Sequence, residues 1–360
     1  MVIPHRILEP NDFLIEAEKG GIILDVRAPS EYAEGHITGA RSWPLFSDDE
    51  RAEIGTLYNH KSKNLAVEKG FEIIGPKMVD MARYANDLYL STGTNRPLLI
   101  HCWRGGMRSQ SVAWLLRTYG VPTIILDGGY KAYRSFSRSQ FDKPLNLAVL
   151  GGLTGSAKTE VINELRTLEG EKVLDLERMA RHFGSAFGNL QQHEQPTSKQ
   201  FSNDLYARLR ELDAWGDCSR PIWVENESRT IGKVNLPEPF YGQIINSTCL
   251  EMLRTEEDRV GHLVNMYGDI DVSLLAGAFK NITPKLGGQH AATALDALEK
   301  GDLATAARIA LVYYDKTYSH GLTKRGKVNR ISVDCKGFTP SECAVHLSEF
   351  LSNYIKEKDV

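Results

Sequence analysis

Leu98-Leu-Ile-His-Cys102-Trp-Arg-Gly-Gly-Met-Arg108-Ser-Gln-Ser111 carries an apolar run into a cysteine, a Gly-Gly turn and an arginine, with a helical pattern opening at Ser109. The run reads as a buried strand, which puts the cysteine at a strand's carboxyl end, where open α/β sheets collect their ligands. Only the thiolate form of cysteine is nucleophilic, and a free thiol titrates at about 8.5. The turn amides, the guanidinium groups of Arg104 and Arg108 and the helix start would all favour a negative sulfur, and would hold an oxyanion beside it. Cys102, Arg104 and Arg108 are therefore the expected catalytic group, with Gly105, Gly106 and Ser109 completing an anion cup. A buried inert thiol is the weaker reading, because core cysteines are not flanked by Gly-Gly and two arginines.

A chain of 360 residues exceeds one ordinary core, so two domains are expected. With 42% hydrophobic and 25% charged residues, core formation is not in question. No apolar stretch is long enough to cross a bilayer, and a cytoplasmic location is expected. The five cysteines, at 102, 218, 249, 335 and 343, form no C-x-x-C pair, which argues against a zinc site or a disulfide framework. A net charge of -3 gives no global signal for nucleic acid. Two local basic tracts remain, one with Lys131, Arg134, Arg138 and Lys143, the other Lys324-Arg-Gly-Lys-Val-Asn-Arg330, and each alone reads more simply as a solvated face.

Upstream, Gly21-Ile-Ile-Leu-Asp25-Val-Arg27 is a short strand ending in a charged pair that could pin the following turn. Gly35-His-Ile-Thr-Gly39-Ala leads into another strand. From Phe46 to Leu90 the pattern is helical, with Ser47-Asp-Asp-Glu as a start signal. After the Cys102 loop, Val112 to Tyr119 is a helix face and Pro122-Thr-Ile-Ile-Leu-Asp127-Gly-Gly-Tyr a strand and turn. This alternation predicts a parallel sheet covered by helices on both faces.

These residues resemble the rhodanese family. Asp25-Val-Arg-x-x-x-Glu31-Tyr-x-x-Gly35-His-Ile-x-Gly39-Ala is similar to that family's first signature, and Cys102 through Gly129-Tyr130 to its active-site loop, helix and final strand. Sulfurtransferases of the family usually space their loop C-x4-R, whereas this chain has Cys102-x5-Arg108, the spacing of cysteine phosphatases that share the fold. The longer loop would admit a tetrahedral phosphate-like group. Transfer of a chalcogen from a phosphorylated donor and hydrolysis of a phosphate ester both remain open on that ground.

Arg134-Ser-Phe-Ser-Arg-Ser-Gln-Phe-Asp-Lys-Pro144 is polar and serine-rich and reads as the connection between domains. The expected division is a rhodanese-like domain over 1–138, a linker over 139–144 and a P-loop NTPase-like parallel-sheet domain with a helical C-terminal part over 145–360. Leu145 to Leu150 is a strand, Gly151-Gly152-Leu-Thr-Gly155-Ser156-Ala157-Lys158-Thr159 a glycine-rich turn, and a helix follows from Glu160. That order suits a phosphate loop: amides of Gly152, Gly155 and Ser156 wrap the anion, Lys158 reaches its terminal oxygens, and Thr159 takes a magnesium ion. Alanine replaces the second glycine of G-x-x-x-x-G-K-[ST]; if position 157 needs a positive φ, the cost is of the order of 1 kcal/mol.

Lys172-Val-Leu-Asp175-Leu-Glu177 reads as the next strand, followed by Arg178, Arg181, His182 and Gly184-Ser-Ala-Phe-Gly188 as either an acceptor-contacting group or a capped helix start. Pro221-Ile-Trp-Val-Glu225-Asn-Glu227-Ser-Arg229 ends a strand in two carboxylates on one face, which could hold a metal through Glu225 and Thr159 or pair with Arg229. Pro237-Glu-Pro-Phe-Tyr241 reads as a turn and Ile244 to Leu250 as a strand. Beyond Glu256 the pattern is helical with breaks at Pro284, Gly287-Gly288 and Gly301. There Tyr314 and Tyr318 share a face suited to core packing, or to stacking on a base or an isoprenoid chain. Cys335 and Cys343 read as structural.

The pairing of the two halves, together with Cys102-Trp-Arg-Gly-Gly-Met-Arg-Ser, the P-loop and Glu225-Asn-Glu-Ser-Arg-x-Ile-Gly232, resembles the tRNA 2-selenouridine synthase family over nearly the whole chain. The resemblance implies replacement of sulfur by selenium in the wobble 2-thiouridine of tRNA. It implies selenophosphate as the selenium donor, in the cup of Gly105, Gly106 and Ser109, and an S-geranyl intermediate made from geranyl diphosphate. No tightly bound cofactor is expected, only magnesium accompanying a diphosphate; nor are a membrane or a stable protein partner. Three other readings stand: a rhodanese-fold cysteine phosphatase or sulfurtransferase with a P-loop nucleotide-binding domain, a P-loop kinase or ATPase with a regulatory module, and a non-catalytic tRNA-binding protein.

Overall fold

A computed structural model describes residues 6–91, 93, 96–182, 194–217, 219–324 and 330–358, without the side chains of 317–324 and 358. The Gly184–Gly188 stretch, Cys218, the Tyr318 side chain and most of the Lys324–Arg330 tract lie outside the described residues. The chain divides into two compact units, one of Met1–Gln140 with Ser202–Tyr206, the other of Phe141–Phe201 with Ala207–Val360.

In chain order the first unit runs β1 (Arg6–Leu8), α1 (Pro10–Glu18), β2 (Ile23–Asp25), α2 (Pro29–Glu34), β3 (Arg41–Ser42) and α3 (Asp48–His60). It continues through α4 (Lys63–Ile74), α5 (Met78–Ser91), β4 (Leu98–His101), α6 (Met107–Tyr119), β5 (Thr123–Leu126) and α7 (Gly129–Gln140). The five strands form one sheet in the order β1-β5-β4-β2-β3, and every pairing is parallel. Leu98, Leu99 and Ile100 in the central strand are wholly buried, because a parallel sheet with both faces covered leaves no wet side. That is why the run is continuously apolar. The helix start expected at Ser47 is a capping box with Glu50.

A buried ion pair closes the carboxyl end of β2. Arg27 Nε donates to Asp25 at 2.9 Å, Arg27 Nη2 donates to Gly35 O at 2.8 Å, and the guanidinium lies 3.9 Å from the centre of the Tyr130 ring. Both members of the pair are wholly buried. The pair thus joins the end of β2 to the glycine turn and to α7, which is more than pinning one turn.

The serine-rich stretch from Arg134 is not a free connection: α7 continues to Gln140, with Tyr130, Tyr133, Ser137 and Gln140 buried along one face. Its serines masked the helical spacing of those four positions. Arg134 is likewise not a solvated cation, since its Nη1 donates at 2.6 Å to Asn203, a buried residue of the segment grouped with this unit. Residues 141–145 are tied down in turn by Gln243, whose Nε2 donates to Phe141 O and Lys143 O and whose Oε1 accepts from Leu145 N.

The second unit runs β6 (Leu147–Gly151), α8 (Lys158–Leu165), β7 (Lys172–Leu174), α9 (Leu176–Ala180), α10 (Ser198–Glu211, whose Ser202–Tyr206 group with the first unit) and β8 (Ile222–Glu225). After the hairpin β9 (Thr230–Ile231) and β10 (Val234–Asn235) come α11 (Glu238–Asn246), β11 (Thr248–Leu253), α12 (Glu256–Tyr267), α13 (Val272–Leu286), α14 (Gly288–Glu299), α15 (Leu303–Lys324), β12 (Arg330–Asp334) and α16 (Pro340–Lys358). Its parallel sheet has the order β12-β11-β6-β8-β7, so the strand feeding the glycine-rich loop is central.

Five local expectations need correction. The strand through Glu177 stops at Leu174, because Asp175 accepts from Arg178 N and caps α9. Pro237-Glu-Pro is a helix entry rather than a turn, with Pro239 in the first turn where a missing N–H costs nothing, and the next strand begins at Thr248. Pro284 sits inside α13 without ending it; the helix stops at Gly287, whose φ is +94°. The strand carrying Glu225 ends there, so Glu227 follows in the loop.

Replacing Arg27 by leucine leaves the Asp25 carboxylate buried without its counter-ion, and should cost about 3–5 kcal/mol in urea-unfolding stability. A loss below about 1 kcal/mol, the range of an exposed pair, would contradict this account.

Candidate active site

Cys102 leaves β4 at the mouth of a loop whose carbonyl oxygens are already occupied. Tyr130 N donates to Cys102 O at 2.8 Å and Lys131 N to Trp103 O at 2.9 Å, both from the first turn of α7. The Gln110 side chain donates to Gly105 O, and Gln110 N to Gly106 O. Among the described residues, no amide from Trp103 to Ser109 donates to a backbone carbonyl outside α6. A ring of free amides beside a thiol could accept an anion. The Cys102 side chain is 3% exposed, and its Sγ lies 3.2 Å from Ser109 Oγ, a hydroxyl able to donate to a thiolate.

Two glycines that the residue-by-residue reading left without a role hold the loop in place. A Cβ on Gly129 would lie 2.5 Å from Cys102 O and 2.8 Å from Arg104 N, and Gly128 and Gly129 both have positive φ. Gly105 also needs a left-handed conformation, with φ at +66°. The arginines behave differently from each other. Arg104 is exposed at the rim. Arg108 is half-buried and bound through both terminal nitrogens to Glu31, at 2.6 and 3.2 Å. Burial would raise the Glu31 pKa, but its bonds to Arg108 hold it below the usual range. The cleft above Cys102 has about 1540 Å³ of space, open mouth included. Its far wall is α3 and α4, with Ile54, Tyr58, Phe71 and Ile74 facing the loop.

In the second unit, Gly152 and Gly155 have φ of +154° and +79°, and a Cβ on Gly155 would come within 3.0 Å of Arg259 O in α12. Ala157 does adopt positive φ, at +62°, so the strain foreseen for alanine applies, at about 1–2 kcal/mol. Lys158 Nζ donates to Gly152 O at 2.9 Å, lying across the loop. Buried Arg259 donates to Thr154 O at 2.8 Å and pairs with Asp315 of α15, so α12 sets the loop's shape. No feature of the linear sequence marks Arg259.

Below the loop lies a carboxylate cluster. Thr159 Oγ1 donates to Glu177 at 2.9 Å, and Glu177 N to Glu225 at 3.4 Å, a link that no spacing in the sequence marks. Glu225 is 1% exposed, and its Oε1 has no hydrogen-bond partner among the described residues. Arg229 pairs with Glu238, not with either expected carboxylate. Among the described residues no three acidic, histidine or cysteine side chains form a metal cage. Magnesium held by one or two carboxylates and a ligand's phosphates needs no such cage, and an orphaned buried oxygen beside Thr159 and Glu177 suits it.

Residues 145–337 match the family model of the tRNA 2-selenouridine synthase AAA domain, and residues 9–136 that of the rhodanese-like domain. A tRNA 2-selenouridine synthase of Bdellovibrio bacteriovorus is 33% identical over 346 residues, covering 84% of this chain and 89% of that protein. One from Shewanella pealeana is 30% identical, over 85% of this chain and 90% of that protein. One from Nitrosomonas europaea is 35% identical over 72% of this chain, which spans 66% of that relative's length.

The chain belongs to the tRNA 2-selenouridine synthase family.

In this synthase-family chain two carboxyls beside the P-loop hold their protons more tightly than usual. Burial, then the nearby Glu177 charge, pushes Glu225 well above the usual carboxylate range and Glu227 up to about 8. The unfolded chain releases the Glu227 proton near 4.5, so between there and about 8 the folded state holds more protons and loses stability as pH rises. Glu227→Gln should therefore flatten the fall in melting temperature between about pH 5 and pH 8.5 and raise it at the alkaline end. An unchanged pH profile by calorimetry would show that Glu227 titrates normally.

Proposed function

We propose that this chain exchanges the sulfur of 2-thiouridine at the tRNA wobble position for selenium, by way of an S-geranyl intermediate. One observation carries the reading: the Cys102 cup and the Lys158 loop, two sites built to hold phosphate-like anions, occur on a chain of this family. The cup of Gly105, Gly106 and Ser109 amides, with Arg104 at its rim and Arg108 behind it, suits the tetrahedral oxyanion of selenophosphate, with its selenium against Cys102. The P-loop amides of Gly152, Gly155 and Ser156, with Lys158, suit a diphosphate.

The chemistry then divides between the sites. At the P-loop, the thiouridine sulfur attacks C1 of geranyl diphosphate, the C–O bond breaks, and the departing diphosphate is stabilised by Lys158 and the loop amides. Magnesium would supply further charge neutralisation, held by Thr159 with Glu177 and Glu225 beside it. Lys158 then exchanges its bonds to loop carbonyls for bonds to the leaving group. At Cys102, selenium bonds to C2 of the base, the C2–S bond breaks, geranylthiolate leaves and takes up a proton, and water cleaves the Se–P bond to give phosphate. The apolar far wall of the Cys102 cleft favours an alkylated base over a bare one.

The test supplies thiolated tRNA, geranyl diphosphate and selenophosphate and weighs the nucleosides produced. Cys102→Ala should abolish selenouridine and leave S-geranyl-thiouridine to accumulate, while Lys158→Ala should slow geranylation by about 100-fold or more. Selenouridine formation by Cys102→Ala, or turnover of an aryl phosphate dependent on Cys102 with no nucleoside product, would replace this reading with another.

A further inference from the structure

The Thr154 side of the P-loop forms one wall of a second cavity, closed elsewhere by α12, α13, α14 and α15. It contains about 510 Å³ of unfilled space, its open mouth included. Its enclosed part is about 50 Å³, a narrow slot below the about 300–1,000 Å³ of an ordinary small-ligand pocket, and the rest of the space opens to solvent. Leu263, Leu275, Phe279, Leu298 and Ala310 supply hydrocarbon walls, and no charged side chain lines it. Tyr314, for which sequence left core packing and ligand stacking both open, is part of this wall.

The space exists because α15 presents alanine where a larger residue would fill it. Ala306 and Ala310 are both buried and both border the cavity. A narrow apolar slot leaves its lining short of dispersion contacts, so a hydrocarbon is the guest it gains most from. The base of a nucleotide is the wrong guest, because its ring edges would meet almost no donors or acceptors here. The cavity also keeps a fixed relation to the phosphate loop. Arg259 of α12 grips Thr154 O at 2.8 Å and Asp315 at 3.0 Å, and Asp315 adjoins Tyr314 in sequence.

We propose that this cavity receives the isoprenoid tail of the diphosphate whose head the P-loop holds. The proposal rests on the reading of that loop as a diphosphate site, and adds which residues hold the hydrocarbon and set its length. Helices α12 to α15 are then the specificity element of the alkylation step. Ala310 and Ala306 set the width of the channel, and Phe279 is part of the wall that limits its depth.

The experiment is calorimetric binding to the full chain of inorganic pyrophosphate and of dimethylallyl, geranyl and farnesyl diphosphates. Ala310→Leu should weaken geranyl diphosphate by about tenfold or more while pyrophosphate moves less than about twofold, since each buried methylene is worth about fourfold in affinity. Phe279→Ala should shift the preference from geranyl towards farnesyl diphosphate, a change of rank order that a partly unfolded variant does not produce. If pyrophosphate binds normally and both variants keep wild-type affinity and rank order, the tail lies elsewhere and the proposal falls. If wild-type chain fails to bind pyrophosphate, or binds it equally well with Lys158→Ala, the diphosphate reading of the loop is what has failed.

Discussion

The close approach of two backbones at Gly129 is the constraint on which the cysteine site depends. A loop can turn its amide hydrogens towards a ligand only if its carbonyls are satisfied on the other side. The first turn of α7 does this for Cys102 and Trp103, and it can come near enough only because position 129 has no side chain. The position of α7 is fixed in turn by Tyr130, which lies against the Arg27 guanidinium. Asp25, Arg27, Gly35 and Tyr130 are thus one buried assembly beside the loop, and the signature at the chain's start shapes the surroundings of Cys102 without touching it.

Much of this was legible in the sequence. Continuous apolar runs ending in glycine-rich turns identify parallel strands and their ligand ends, so both loops and the residues on them could be placed. The failures share a cause, which is that composition outweighed position. Asp175 follows a good strand but caps a helix; Pro239 reads as a breaker but enters one; the serines after Arg134 conceal a face of Tyr130, Tyr133, Ser137 and Gln140. What could not be read is non-local. Glu31 meets Arg108 across 77 positions and Arg259 meets Thr154 across 105, and neither partner announces the other.

The acidic cluster shows how burial can store a response to a ligand. Glu225 and Glu227 are kept protonated by desolvation and by each other's neighbour Glu177, while Lys158 opposes the shift at Glu227. If the loop takes magnesium with a diphosphate as proposed, a cation beside Thr159 would reverse the field that holds those protons, and binding would then be coupled to proton release.

The two anion sites also keep their own cations compensated, but in different ways. Lys158 rests on the carbonyls of Gly152 and Leu153, bonds in which only the donor is charged, so an anion could draw it away without breaking an ion pair. Arg108 is held by Glu31 through two bonds in which both partners are ionised. An anion in the cysteine cup therefore meets free amides first and an arginine already committed to a carboxylate. If the two loops take the anions proposed for them, the lysine is the cation free to move with its ligand, whereas the arginine stays as a fixed wall of the cup.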